Sequence, residues 1–135
     1  MNSGFENVQN FAFALDADDF ETAKFYLSSE AVYYIGNSIL KGKEEIGKSY
    51  ETNMLEGRAK LDNLIWGESR IQLVSNESFI IHFTDFLTHK NLTHVHRCEQ
   101  KVWINSKLKI IKIEHLSNPK EEIALLEFYK KVGLA

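Results

Sequence analysis

A carboxylate, two imidazoles and a phenol are the groups on which chemistry in this chain would turn: Asp85, His96, His115 and Tyr33. Asp85 lies in ESFIIHFTDFLTH, His96 in NLTHVHRCEQKVWIN and His115 in KLKIIKIEH, three segments that follow one another from Glu77 to His115. An imidazole titrates near neutral pH and a carboxylate can orient it, so His96 held by Asp85 would move a proton at a carbon next to a carbonyl. Tyr33 or His115 would then hydrogen-bond the developing oxyanion. The plainer reading of the same residues is a satisfied polar pair in a wet core, with no reaction attached.

Such a pair needs a scaffold, and the three segments supply one as consecutive antiparallel strands. Side chains alternate between the two faces of a sheet, so each residue can be assigned a side. In the second strand Thr93, Arg97, Glu99 and Lys101 face water, which turns His94, His96, Cys98, Gln100, Val102 and Ile104 inward. In the first, the apolar set Phe79, Ile81, Phe83 and Leu87 brings Asp85 inward. In the third, Ile111, Ile113 and His115 oppose Lys112 and Glu114. A hairpin turn at Lys90-Asn91 sets Asp85 directly opposite His96. A turn at Asn105-Ser106 would put His115 opposite His96, and one at Ser106-Lys107 opposite Cys98. Cross-strand Cβ atoms lie roughly 4.5–5.5 Å apart, so the spacing predicts Asp85 and His96 within hydrogen-bond reach, directly or through one water, with His115 close by.

The rest of the chain reads as mostly helical support. Ser3 and Glu6 have capping-box spacing, with Val8, Phe11, Ala12 and Leu15 as the buried stripe of a first helix. Asp18 to Glu21 opens a second, short helix, broken at Ser28-Ser29-Glu30. Ala31 to Gly36 is a short strand with Tyr33 and Ile35 on one face, and Ile39 to Lys41 a brief return. A third helix runs from Lys43 to Met54 with Ile46, Tyr50 and Met54 inside, and Gly57 ends the connection. Arg58 to Val74 is one long strand, bent at Trp66-Gly67. Asn118, Pro119 and Glu121 are N-cap, N1 and N3 of a last helix, whose inner line is Ile123, Leu126 and Tyr129, widened by Leu125, Phe128 and Val132. The class is α+β.

Composition narrows the partners. The 135 residues suit one domain spanning 1–135. Sixteen Lys and Arg are scattered among nineteen carboxylates, for a net charge of −3. Without a basic block, neither nucleic acid nor an anionic membrane is an expected partner. The single cysteine, Cys98, fits a reducing compartment. The N-terminus has no signal-peptide pattern, and no apolar run nears the roughly 20 residues of a membrane span. The expected location is the cytoplasm.

With FAFALDADDFETAKFYLSSEAVYYIG leading to LKGKEEIGKSYE, this order of elements resembles the nuclear transport factor 2-like superfamily. Ketosteroid isomerases, SnoaL-like polyketide cyclases and scytalone dehydratases share its fold. The resemblance implies a cone: a curved, mixed, largely antiparallel sheet wrapped around the N-terminal helices, with a C-terminal helix added. The inward residues Phe83, Cys98, Gln100 and Ile113 would line its pocket with Phe11, Leu15, Tyr33, Ile35 and Tyr50. VQNFAFALDADD looks like the first helix of ketosteroid isomerase, but Phe11 stands where that family places its oxyanion-hole tyrosine. Ile35 stands where it has the general-base aspartate, and Gln100 where it has the second oxyanion-hole acid. Neither Phe11 nor Ile35 can exchange a proton, which argues against steroid isomerisation. Asp85, His96, His115 and Tyr33 are instead similar in type to the residues of scytalone dehydratase-like sites.

Two functions follow as expectations. One is an acid–base lyase, isomerase or cyclase acting on a small hydrophobic or aromatic carbonyl compound. The other is a non-catalytic ligand-binding or dimerisation module. Ile80, Thr84, Phe86, Val95 and Trp103 make the outer sheet face more apolar than water requires, and so predict a homodimer through it. His94-x-His96 also puts two imidazoles on one strand face, as a metal site would. No third inward ligand has suitable spacing, so neither metal nor cofactor is expected.

Overall fold

Side-chain caps start three of the four described helices. The computed structural model describes residues 3–135. Helix α1, Gly4–Asp16, begins where the Glu6 amide donates to Ser3 Oγ at 3.1 Å, and it buries Val8, Phe11, Ala12 and Leu15. Helix α2, Phe20–Phe25, is capped by Asp19, which accepts from both the amide and the hydroxyl of Thr22. The chain turns at once into β1, Leu27–Ile35. Ser28, Ser29 and Glu30 thus belong to the strand rather than to a break before it. β2, Ser38–Lys41, folds back on β1.

Helix α3, Lys43–Lys60, is longer than predicted and runs straight through Gly57. That glycine marks a close approach rather than a stop. A Cβ there would come within 2.7 Å of Leu64 Cδ2, so a side chain at this position would have to push the Leu64 methyl aside. The following extended stretch is two short strands, β3 Asn63–Trp66 and β4 Arg70–Leu73, separated by Gly67 to Ser69. Both pair with β5, Ser78–His89, as the two halves of one bent strand.

β5 and β6, Leu92–Ile104, form a continuous hairpin in which Asp85 faces His96. Its two-residue turn has positive φ at both Lys90 (50°) and Asn91 (65°), the combination that matches strand twist. The next connection is different. Asn105 to Lys109 make a five-residue loop, closed by bonds from the Lys107 and Lys109 amides to Asn105 Oδ1, with Leu108 at φ 62°. The longer loop slides β7, Ile110–Leu116, so that His115 lies opposite Gln100. Both predicted registers for His115 are therefore corrected. A bulge after Trp103 leaves Ile111 without a strand partner and turns Ile110 into the core in its place.

The strands form one curved, unclosed sheet in the order β2-β1-β7-β6-β5-β3, with β4 also on β5. β1 and β7 are parallel and the other pairs antiparallel. The main core fills the space between α1, α2, α3 and the concave face. A second cluster, Leu61, Leu64, Leu87, Phe128 and Val132, seats the last helix, α4, Pro119–Lys131. α4 starts as predicted, with Asn118 Oδ1 capping Glu121. Its buried face is the one carrying Leu125, Phe128, Tyr129 and Val132. Ile123 and Leu126, expected inside, are 58% and 46% exposed. Phe128 turns the helix this way by stacking on His94, with ring centroids 5.3 Å apart.

Candidate functional site

Rows of paired residues run across the concave face and position the polar groups. Trp66, Asp85 and His96 form one row, Phe83 and Cys98 the next, and Ile81, Gln100 and His115 a third. β1 adds Tyr33 beside Ile113. Against the wall of rows stand Leu15 and Asp16 of α1, Phe20 of α2 and Tyr50, Asn53 and Met54 of α3.

The space between is a cavity of two connected chambers. A smaller one of about 80 Å³ is lined chiefly by Leu15, Asp16, Phe20, Met54, Phe83 and Thr84. A larger one of about 280 Å³ is lined by Tyr33, Ile35, His96, His115, Leu61, Leu64, Leu87, Leu125 and Tyr129, among others. Tyr50, Asn53, Trp66, Asp85, Cys98 and Gln100 border both. Of the predicted lining residues, Phe11 and Ile113 do not reach this space. Both are fully buried in the core behind it, because packing against Tyr50 and the sheet uses the whole of each side chain. Ile35 lies at the outer edge of β1 and is over a third exposed.

Asp85 and His96 face each other across the hairpin, yet no hydrogen bond joins them. His96 Nδ1 is buried without a partner, and Asp85 makes no hydrogen bond or ion pair among the described residues. Register sets backbone position, but side-chain rotation sends these two groups apart. The charges that act on His96 are those of Glu121, His94, His115 and Glu122, whereas the charge that acts on Asp85 is that of Asp16. Burial, reinforced by the Asp16 carboxylate, pushes the Asp85 carboxyl up to about 7. Burial holds the His96 imidazole below its usual value, against the pull of Glu121. The Asp85 carboxyl is therefore a near-neutral titrating group of the cavity.

A relay of neutral groups stands nearby. Tyr50 donates to Gln100 Oε1 at 2.5 Å, and Gln100 Nε2 donates to the Tyr33 hydroxyl at 2.9 Å. The two phenol rings stack with centroids 5.5 Å apart. Burial raises both phenols, so they remain protonated donors. Burial likewise pushes the Cys98 thiol up to about 12, so it is no nucleophile at neutral pH.

Asp16 and Trp66 belong to this site and were not singled out in the sequence. Both oxygens of Asp16 are held by Ser69, through its amide at 2.8 Å and its hydroxyl at 2.6 Å. Trp66 Nε1 donates to Asp18 Oδ1 at 2.7 Å, which fixes the indole as a wall between the chambers. The pairing of Trp66 with Asp85 is readable only once the register of β3 on β5 is known. Among the described residues no group of three or more His, Cys, Asp or Glu side chains converges as a metal site would require.

No protein-family model matches the chain, and no curated protein matches it significantly. Solved structures do match in fold. TerC, co-crystallized with polyporic acid, superposes with a TM-score of 0.71 at 11% identity, over 94% of this chain and 98% of its own. Rv0760c from Mycobacterium tuberculosis, in complex with estradiol-17beta-hemisuccinate, gives 0.66 at 17%, over 89% and 98%. An LEH-like epoxide hydrolase from M. tuberculosis gives 0.65 at 17%, over 92% and 90%. At these identities the likeness is one of architecture. The curved sheet, the helices it wraps and these superpositions together show that the chain shares the α+β cone fold of these solved structures.

Proposed function

We propose that this chain binds a small hydrophobic carbonyl compound in the cone and uses Asp85 to move a proton on it, as a lyase, isomerase or cyclase would. The observation that carries the reading is Asp85 itself: a carboxyl at the junction of both chambers, without a partner, titrating near 7. A general acid or base works best when its pKa lies near the working pH. Trp66, Phe83, Phe20 and Leu15 supply flat apolar walls for a ring, and the Tyr33–Gln100–Tyr50 relay supplies neutral donors for an enolate oxygen. His96 is no longer the base of this scheme, because it lacks the Asp85 contact that would orient it. Rv0760c in complex with estradiol-17beta-hemisuccinate and TerC with polyporic acid support the use of this fold to hold ring compounds.

The test is α-proton exchange into deuterated water for acetophenone-type ketones, followed by NMR. The parent should exchange them faster as pH rises through about 7, and Asp85→Asn should lose about 100-fold or more. Equal exchange by parent and Asp85→Asn would leave a binding cavity without catalysis, the alternative reading for this fold.

Quaternary structure and location complete the proposal. Ile65, Phe86 and Val95 are neighbours across β3, β5 and β6 on the convex face, 52%, 44% and 36% exposed. Such a contiguous row supports a homodimer through the outer sheet face. Trp103, also on that face, is instead covered by Lys101 and Lys112 of its own chain. Among the described residues no helix is long and apolar enough to cross a membrane, and the one thiol is unpaired. We place the protein, as one domain over 1–135, in the cytoplasm.

A further inference from the structure

Three imidazole nitrogens with no partner are left over once the proton-transfer site is described: His94 Nε2, His96 Nδ1 and His115 Nδ1. His96 and His115 both line the larger chamber, and in each the Nδ1 atom is shut off from water with nothing to bond. Neither ring makes a hydrogen bond through Nε2 either, so Nε2 is the nitrogen that meets open space. A buried N–H without an acceptor costs on the order of 1–3 kcal/mol. The proton of each neutral ring therefore belongs on Nε2. His94 differs: its unpartnered nitrogen is Nε2, its ring is stacked on Phe128 and it does not line the cavity. The larger chamber is thus edged by two imidazole N–H donors.

Charge decides what those donors are for. No Lys or Arg lines either chamber, whereas Asp16 and Asp85 do. An anion entering here would be stripped of water without a counter-charge, which is strongly unfavourable. A cation would find Asp16 already satisfied by Ser69 and Asp85 raised toward its neutral form. An uncharged oxygen suits what remains.

We propose that His96 and His115 form a second polar subsite, in the larger chamber, that binds an uncharged oxygen acceptor at the end of the ligand remote from the carbon facing Asp85. The ligand class becomes a neutral ring compound with two oxygens, a carbonyl at the Tyr33–Gln100–Asp85 end and a ketone, ester or ether oxygen at the His96–His115 end. This rests on the carbonyl-compound reading above and deepens it.

Calorimetry at about pH 7 with four matched probes tests the assignment: para-diacetylbenzene, para-isopropylacetophenone, para-acetylbenzoate and para-(aminomethyl)acetophenone. The diketone should bind about fivefold tighter than the isopropyl compound, the worth of one neutral hydrogen bond. Both charged probes should bind at least about tenfold weaker than the diketone. His96→Phe with His115→Phe should bring the diketone-to-isopropyl ratio close to one, while His96→Gln with His115→Gln, which keep N–H donors, should retain most of it. Reading the ratio within each variant cancels any general loss of packing. A ratio that the Phe substitutions leave unchanged would overturn the subsite. So would preferred binding of the benzoate or the amine, or binding of none of the four. Proton exchange is a separate readout: loss of the Asp85 effect with the His-dependent ratio intact would sink the catalytic reading alone.

Discussion

Asp85 and His96 stand directly opposite each other on β5 and β6, and their side chains do not bond. A carboxylate and an imidazole at paired positions on a concave face would ordinarily form an ion pair. Here Asp85 instead borders the chamber that holds Asp16, and His96 joins His94 and His115 beneath α4. The cavity therefore separates the Asp85 carboxyl from the imidazoles of His96 and His115.

That separation has a consequence for stability. Between about pH 4 and about 7 the folded chain keeps a proton on Asp85 that the unfolded chain has released. Stability therefore falls as pH rises through this window and levels off above it. Asp85→Asn should match the parent near pH 4 and exceed it above about pH 8, by as much as roughly 4 kcal/mol at about 1.4 kcal/mol per pKa unit. Thermal denaturation at the two pH values checks this, and equal melting temperatures at both would contradict the elevated carboxyl.

Asp16 contributes to that elevation through its own charge. Asp16→Asn keeps the shape of the side chain and removes the repulsion, so the Asp85 carboxyl should titrate at lower pH in the variant. Carbon-13 NMR of the side-chain carboxyl reads the titration directly; an unchanged midpoint would show that burial acts alone.

The Tyr50–Gln100–Tyr33 relay is buried, so breaking its centre should be expensive. Gln100→Leu leaves two phenol hydroxyls without their partner and should cost about 2–3 kcal/mol in urea denaturation. Tyr33→Phe, which leaves one Gln100 N–H unpaired, should cost about 1–2 kcal/mol. A smaller loss for Gln100→Leu than for Tyr33→Phe would mean that water replaces the relay.

The β5–β6 turn holds Lys90 and Asn91 in a backbone region that lysine rarely adopts. Replacing the pair by Asn-Gly (Lys90→Asn with Asn91→Gly) should stabilise the fold by roughly 1 kcal/mol, seen as a shift in the urea midpoint. A destabilised double variant would show that the lysine side chain contributes more than its backbone costs.

The proposed dimer makes a separate prediction about the convex face. Phe86→Arg sits in the middle of the exposed row and should give a monomer by light scattering at high micromolar concentration, with the parent a dimer. A parent that is itself monomeric under those conditions ends the proposal.

Local rules made the scaffold legible in the sequence alone. The capped starts of α1 and α4, the inward face of β5 and β6 and the Asp85–His96 register all follow from spacings of a few residues, which backbone geometry enforces without distant help. What failed to read out locally depended on contacts far apart in the chain. α3 continues through Gly57, which packs closely on Leu64 of the next strand, and α4 shows a different face because Phe128 meets His94. His115 lies opposite Gln100 because the side chain of Asn105 closes a longer loop. The decisive case is the site itself. Alternation brings Asp85 and His96 to one face, but whether they bond depends on side-chain rotation, on burial and on the charge of Asp16 from another element. Those are properties of the packed cavity, so only the tertiary structure turns an expected pair into a lone carboxyl and two unpaired imidazoles.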